Sequence, residues 1–285
     1  MVIWWVRRDL RLADNPALHA ALSRYEPLIP LFILDPHILR LPAGKRHSFL
    51  FAGLRQLDRD LRARGSRLVV REGSPQEVLA ALVAQAGVSA IFAEEGYSPY
   101  ARQRDAAVGA RLPLHLTPGL TVHHPTTVVK SDGSPYTVFT PFMRVWKARP
   151  LPTERTILPT PTALPPVPDA ILSAELPEAN PPDGFAPGEK EACRRLEAFT
   201  HGTHAPIYDY DDGRNHLDRE GTSQLSPYLR FGMLSARQAV VAAQAAYSAA
   251  QGRSASKGSE TWLNELVWRE FYQAILYHFP NVLHE

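Results

Sequence analysis

The sequence predicts an α/β fold: a parallel-sheet domain followed by an all-α domain that is incomplete within the chain. Three observations carry this. Short apolar runs alternate with amphipathic stretches through residue 120, a proline-dense segment follows, and the remainder keeps a helical period. The implied divisions are a sheet domain at 1–130, an interdomain linker at 131–188 that is Pro-rich from 150, and a helical domain at 189–285.

In chain order, Val2–Val6, Leu28–Leu34, Arg67–Arg71 and Ala90–Ala93 read as strands, with Leu114–Leu116 a shorter fifth. Their apolar residues run on without alternating with polar ones, the pattern of strands covered on both faces. Between them Pro16–Ser23, Phe49–Arg64, Pro75–Ala86 and Arg102–Arg111 read as helices. Phe49, Leu50, Gly53, Leu54, Leu57 and Leu61 keep helical spacing, with Arg and Asp opposite. Ser74-Pro75-Gln76-Glu77 has the residues of a capped helix start. From Pro150 to Pro187 there are eleven prolines, which remove amide donors and fix φ, so neither helix nor strand propagates. Glu189–Phe199, Ser235–Ala250 and Glu260–His278 then read as helices. Three such helices do not close a core of their own, which is why the second domain is expected to be incomplete.

Composition narrows the function. A formal net charge of +2 over 285 residues gives no bulk polybasic character, so any phosphate-binding patch is local. Only Lys45, Lys130, Lys147, Lys190 and Lys257 are lysines. Arginine is the better phosphate fork, although GC-rich coding explains the bias equally well. The lone Cys193 excludes an intramolecular disulfide and fits a reducing compartment. The apolar opening Met1–Val6 is too short for a signal or membrane segment. The expectation is a cytoplasmic, monomeric protein with no membrane partner. No metal site is expected, because His123-His124 and His201-x-x-His204 lack a third ligand at metal spacing. Neither GxGxxG nor GxxxxGK[ST] occurs in the sheet half, so a dinucleotide or P-loop site has no motif to rest on.

Three segments can carry chemistry. In Gly221–Gly232, Ser226 is placed to cap a short helix with Pro227 in its first turn and Gly232 at its end. Free amides there, with the hydroxyls of Thr222, Ser223 and Ser226, form an anion cradle suited to a diphosphate. A capped turn that binds nothing explains the same residues. On the last long helix Glu265, Trp268, Arg269 and Tyr272 fall at i, i+3, i+4 and i+7 and share a face. That face reads either as a pocket that hydrogen-bonds a base edge while stacking on the ring, or as a half-buried Glu265–Arg269 pair beside core aromatics. Tyr208–Asn215 places Tyr210 to cover a flat ring and Arg214 to reach a phosphate, although its Asp and Gly content also suits a plain loop.

Together these segments resemble the photolyase/cryptochrome family. Val6-Arg7-Arg8-Asp9-Leu10-Arg11-Leu12-Ala13-Asp14-Asn15-Pro16-Ala17-Leu18 is similar to the family's opening, and Ser134–Phe142 to its first-domain exit. Gly221–Leu229 and Trp262–Tyr272 resemble its two flavin-domain motifs, in the family's order. The resemblance is closest to class I cyclobutane-pyrimidine-dimer photolyases. It implies an α/β antenna domain, an all-helical FAD-binding domain, and a lyase that repairs pyrimidine dimers in DNA by light-driven electron transfer from reduced FAD. A blue-light receptor of the cryptochrome type is the alternative. By the resemblance Tyr210, Thr222, Ser223, Gln224, Leu225, Ser226, Trp262, Glu265 and Arg269 contact FAD, and Glu265 and Trp268 are catalytic. Damaged DNA meets Arg214 and the run Glu265, Leu266, Val267, Trp268, Arg269, Glu270, Phe271 and Tyr272. A second antenna chromophore of open identity is implied. Folate is disfavoured, because Tyr100-Ala101 stands where folate-binding members carry an Asn-Glu pair. Family members continue past Glu285, so the chain is expected to be an N-terminal portion that repairs nothing by itself.

Overall fold

The five strands are β1 (Val2–Val6), β2 (Leu28–Leu34), β3 (Val69–Glu72), β4 (Ala90–Glu94) and β5 (Leu114–Thr117). In the computed structural model, which describes residues 1–40 and 44–283, they form one parallel sheet in the order β3-β2-β1-β4-β5. Val2 at the centre pairs with Leu28 on one side and Ala90 on the other. The last two residues of the predicted helical domain, 284–285, lie outside the described residues.

Alternate side chains of each strand leave on opposite faces, and two cores result. Ile3, Trp5, Ile29, Leu31, Ile33, Val69 and Ile91 pack on one side with α4 (Pro75–Ala86) and α5 (Pro99–Gly109). Val2, Trp4, Val6, Phe32, Leu34 and Phe92 pack on the other with α1 (Pro16–Leu22) and α3 (Gly44–Arg62). A short α2 (Pro36–Leu39) follows β2. This second core continues without a break into the later helices: α7 (Glu189–Thr200), α8 (Tyr210–Gly213), α9 (Ser226–Phe231), α10 (Ala236–Ala249) and α11 (Gly252–His278). Phe49 of α3 meets Tyr228 edge-on at 5.4 Å and Phe231 at 5.8 Å. The late helices therefore bury their apolar faces against the sheet domain.

The seam between the two parts is the segment leaving β1, Arg7–Asn15. Leu10 N–H donates to Phe231 O (3.2 Å), Arg8 Nε to Arg230 O (3.0 Å) and Arg11 Nη1 to Gly232 O (3.2 Å). Glu189 accepts from the amides of Leu12 (2.7 Å) and Ala13 (2.9 Å), while Ser235 donates to Asp14 (2.6 Å). Burial raises the pKa of the Glu189 carboxyl. The family-like opening sequence thus works as a polar hinge plate between sheet and helices.

Several elements differ from expectation. A helix, α6 (Phe139–Ala148), lies inside the predicted linker and buries Phe142 and Trp146. The proline-rich stretch is docked along the sheet edge: Ala174 N–H donates to Val70 O (2.9 Å), Ser173 Oγ accepts from Val70 N–H, and Leu164 N–H donates to Arg64 O. Those bonds cover β3, an edge strand that would otherwise expose its amides. β3 begins two residues late because Arg67 donates to Ile171 O (2.5 Å) and Leu68 N–H to Asp58 (2.8 Å), away from the ladder. α5 starts three residues earlier than predicted, capped by Ser98, which accepts from Ala101 N–H. α11 starts eight residues earlier, over a polar run that carries no apolar period. Ser235 caps α10 in a reciprocal box with Gln238, whereas Ser74 makes no side-chain cap bond. No described helix is long and apolar enough to cross a membrane.

Candidate functional site

Three pieces of chain converge on one end of the helical layer. Gly221 crosses directly over α8, where a Cβ would stand 2.1 Å from Gly213 O, so only glycine permits this approach. The crossing lays the Thr222–Ser226 turn beside Tyr210–Arg214. α8 is fastened to α11 through Asp211, which accepts from Thr261 Oγ1 (2.9 Å) and pairs with Lys257 Nζ (2.5 Å). Lys257 and Thr261 hold the Asp211 carboxyl below its usual pKa.

The turn is sharp. Gln224 has φ +51, a left-handed conformation costly for a residue with a Cβ, and Arg195 Nη1 donates to its Oε1 at 2.9 Å. Ser226 is the first residue of α9 and not its cap: Leu225 holds the cap position and no side-chain cap bond forms. Leu225 is itself drawn into the core at 1% exposure, and the helix begins one residue earlier than the Ser-Pro pair predicts. Gly232 ends the helix in the left-handed region as expected. The hydroxyls of Thr222, Ser223 and Ser226 make no hydrogen bond among the described residues, and Thr222 and Ser226 are exposed. That donor set fits the diphosphate end of FAD.

Tyr210 and Trp262 are brought together through a common neighbour. Phe199 meets Tyr210 edge-on at 5.8 Å and Trp262 at 5.2 Å. Both rings are buried, so they form the wall behind the turn. Burial and the nearby Glu265 push the Tyr210 phenol up.

On α11 the structure separates two stripes that the continuous run 265–272 had merged. Leu266, Val267, Glu270 and Phe271 are buried against the rest of the protein and have no surface to give to DNA. A helix turns through 100° per residue, so eight consecutive positions cannot share a face. Glu265, Trp268 and Tyr272 lie on the outer stripe, with Tyr272 62% exposed. Trp268 is sandwiched: the Phe139 ring of α6 lies flat on it at 3.6 Å and 4°, and Tyr272 stacks at 5.6 Å.

The Glu265–Arg269 pair expected from spacing does not form. Glu265 bonds Arg214 Nη1, and Arg269 turns toward the sheet domain, where its Nη1 donates to Leu120 O at 2.9 Å and pairs with Glu270 at 3.4 Å. Arg269 therefore faces Glu94 and Arg11 at the seam. The partners across the groove outcompete the neighbour one turn along. Since Arg214 and Glu265 are 35% and 41% exposed, Arg214→Ala is expected to change unfolding free energy by less than about 1 kcal/mol in a urea titration.

Sequence reasoning missed Phe139, whose position in a presumed linker hid it, and the buried Asn264, whose Oδ1 has no partner in the structure. Tyr100 bonds Asp35 and stacks on His37 at 4.3 Å, while Ala101 packs under Gly96. Cys193 is half-buried, with its thiol pushed up to about 11 by burial, which removes it as a nucleophile. No group of three or more His, Cys, Asp or Glu among the described residues is placed to hold a metal ion.

A parallel sheet is joined through its first-strand exit to a helical layer, with an aromatic–acid stripe on α11 and a hydroxyl-rich turn after α8, which is the arrangement of an α/β domain followed by a helical one. Comparisons agree. A model of the DNA photolyase family matches residues 2–166, and the chain belongs to that family. The deoxyribodipyrimidine photo-lyase of a Synechococcus strain is 37% identical over 305 residues, which span 99% of this chain and 61% of that protein. A class III photolyase from Agrobacterium tumefaciens superposes with a TM-score of 0.82 at 27% identity, covering 99% of this chain and 60% of that one. An archaeal photolyase from Sulfolobus tokodaii, solved with two FAD molecules, gives 0.74 at 25% identity, covering 99% and 60%. The chain spans about 60% of the length of these photolyases.

Proposed function

We propose that this chain supplies the damage-recognition face and the diphosphate-binding turn of a photolyase acting on cyclobutane pyrimidine dimers in DNA. The observation that carries the reading is the outer stripe of α11, with Glu265 and Trp268 half-buried and Tyr272 exposed, joined through Arg214 to the segment that leads into the Thr222–Ser226 turn. Thr222, Ser223 and Ser226 hold the phosphates of FAD, with Tyr210 and Trp262 behind them. When bound and reduced, FAD supplies the electron that opens the cyclobutane ring under light.

The chain's own residues do the rest. Extruding two linked pyrimidines costs a few kcal/mol, less when the lesion already stacks badly. The Trp268–Tyr272 stack offers a π surface that returns roughly 1–3 kcal/mol per base. Glu265 hydrogen-bonds the pyrimidine edge once Arg214 swings to a DNA phosphate. Binding then weakens with salt, as displaced counterions require. A second chromophore is part of the proposal. Tyr100 and Ala101 put no carboxylate or amide side chain of their own where folate-binding members carry an Asn-Glu pair, which disfavours folate. The lone free thiol suits the reducing cytoplasm, and the site needs one chain and no membrane.

The test is binding of the 285-residue chain to a thymine-dimer oligonucleotide against its undamaged twin, measured by fluorescence anisotropy. Trp268→Ala is expected to cut the damaged-to-undamaged affinity ratio by roughly 5- to 100-fold, equivalent to the stacking term. Equal ratios for the two proteins would sink the assignment of the face.

A further inference from the structure

The geometry points to Glu270 as a positioning residue that sets where the Trp268 face stands, by hooking α11 onto the loop after β5 and onto α6. The inference rests on the proposed reading of that face as a lesion site.

Glu270 is 3% exposed, and four donors converge on its carboxylate from three segments. The amides of Val122 and His123 donate to Oε2 at 2.9 and 3.4 Å, and so does Trp146 Nε1 of α6 at 3.4 Å. Arg269 Nη1 faces Oε1 at 3.4 Å. α6, which gives Trp146 to Glu270, also gives Phe139 to Trp268. The same helix is therefore pinned at one end by Glu270 and at its other end fixes the plane of the indole.

Packing alone does not account for a carboxylate here. Removing an ion from water costs several kcal/mol, and an apolar residue of similar volume is often neutral or stabilising in such a place. What an apolar residue lacks is an acceptor, and two backbone amides of the sheet domain can be satisfied only in one register of α11. The charged and titratable groups around the hook are Arg269 on α11, His123 on the loop after β5, Arg149 just past α6, and Tyr97 and Glu94 from the β4 end. Burial and Arg149 lower the pKa of the His123 imidazole, and its Nε2 is buried without a partner. What reaches Glu270 from His123 is its amide.

The experiment compares wild type, Glu270→Met and Glu270→Gln in the 285-residue chain, with and without Trp268→Phe. The readouts are tryptophan emission and affinity for the dimer and undamaged oligonucleotides. In Glu270→Met the emission is expected to shift to longer wavelength. The part of the shift missing from the Trp268→Phe background is that of Trp268 as the Phe139 stack loosens, and the remainder is that of Trp146, which loses its Glu270 acceptor. Dimer affinity is expected to fall about tenfold while undamaged-DNA affinity stays within about twofold, a split that general destabilisation would not produce. Glu270→Gln, which keeps an acceptor, is expected to restore most of the emission. Unchanged Trp268 emission in Glu270→Met, with its cooperative unfolding retained, overturns the proposal. An equal loss for both DNAs overturns it as well. If wild type fails to distinguish the two DNAs, the lesion reading falls, and the emission shift alone still decides whether Glu270 places Trp268.

Discussion

Replacing Gly232 by alanine is expected to cost on the order of 4 kcal/mol of unfolding free energy, the largest effect of any single methyl group in this chain. Gly232 closes α9 at φ +66, and a Cβ there would stand 1.8 Å from Arg8 O and 2.8 Å from Asp9 Cα. Both neighbours are backbone of the seam segment and neither can swing aside. Accommodating the methyl group would pull α9 from the sheet domain and break the bonds from Leu10 N–H to Phe231 O and from Arg11 to Gly232 O. Those donors are buried, and each left unpaired costs about 1–3 kcal/mol. Gly133→Ala is the control: its φ of +81 is also left-handed, but nothing lies within 4 Å of the added carbon, so only about 1 kcal/mol is expected there. Urea unfolding of both variants makes the comparison. A Gly232→Ala midpoint equal to that of Gly133→Ala would mean that the seam is not tight.

Raising the pH from 5 to 8 is expected to lower stability, opposite to the common behaviour of carboxylates paired at a surface. Glu94 and Glu270 are buried at the seam, and desolvation raises each carboxyl from 4.5 to about 7 despite the neighbouring Arg11 and Arg269. Between pH 4.5 and 7 the folded chain therefore holds protons that the unfolded chain has released. Stability falls with pH wherever the native state binds more protons. The contribution is complete below 4.5 and lost by the time the pH passes 7. A 2.5-unit difference corresponds to roughly 3 kcal/mol per group as an upper scale. Half-buried, paired carboxylates with lowered pKa values, such as Asp211 and Glu191, act in the opposite direction but at lower pH, below their unfolded values. The measurement is unfolding free energy against pH for wild type and Glu270→Gln. The variant should show a shallower slope that keeps its sign, since Glu94 and Glu189, both raised by burial, still titrate. A wild-type curve that rises from pH 5 to 8 would contradict the assignment of two buried acids.

Much of the sheet domain was legible residue by residue. β2 matches Leu28–Leu34 without a slip, because an unbroken apolar run bounded by Pro27 and Asp35 has few other ways to be buried. α10 starts where Ser235 says it should, since a cap is set by residues a few positions apart, and Gln238 closes the box. α6 was not legible: Pro141 within it and its place beside the proline-rich stretch mask two side chains, Phe142 and Trp146, that become buried only once α11 arrives. The spacing of Glu265, Trp268 and Tyr272 put them on one stripe of a helix, and they are found there. The same spacing paired Glu265 with Arg269, and the folded chain gives each a different partner, Arg214 and Glu270, drawn from 51 residues before Glu265 and from the next position after Arg269.

By itself the sequence determined the alternation of strands and helices and which side chains share a helical edge, because periodicity and capping are short-range properties, while the family rested on the resemblance of four motifs. Tertiary structure alone decided which stripe of α11 faces outward, that the Arg7–Asn15 segment is the seam, and that Glu270 is buried with acceptor bonds to the loop after β5 and to α6. Those outcomes depend on what stands opposite each face, and the physical cost of a buried charge or an unsatisfied amide is set only when the distant partner is in place.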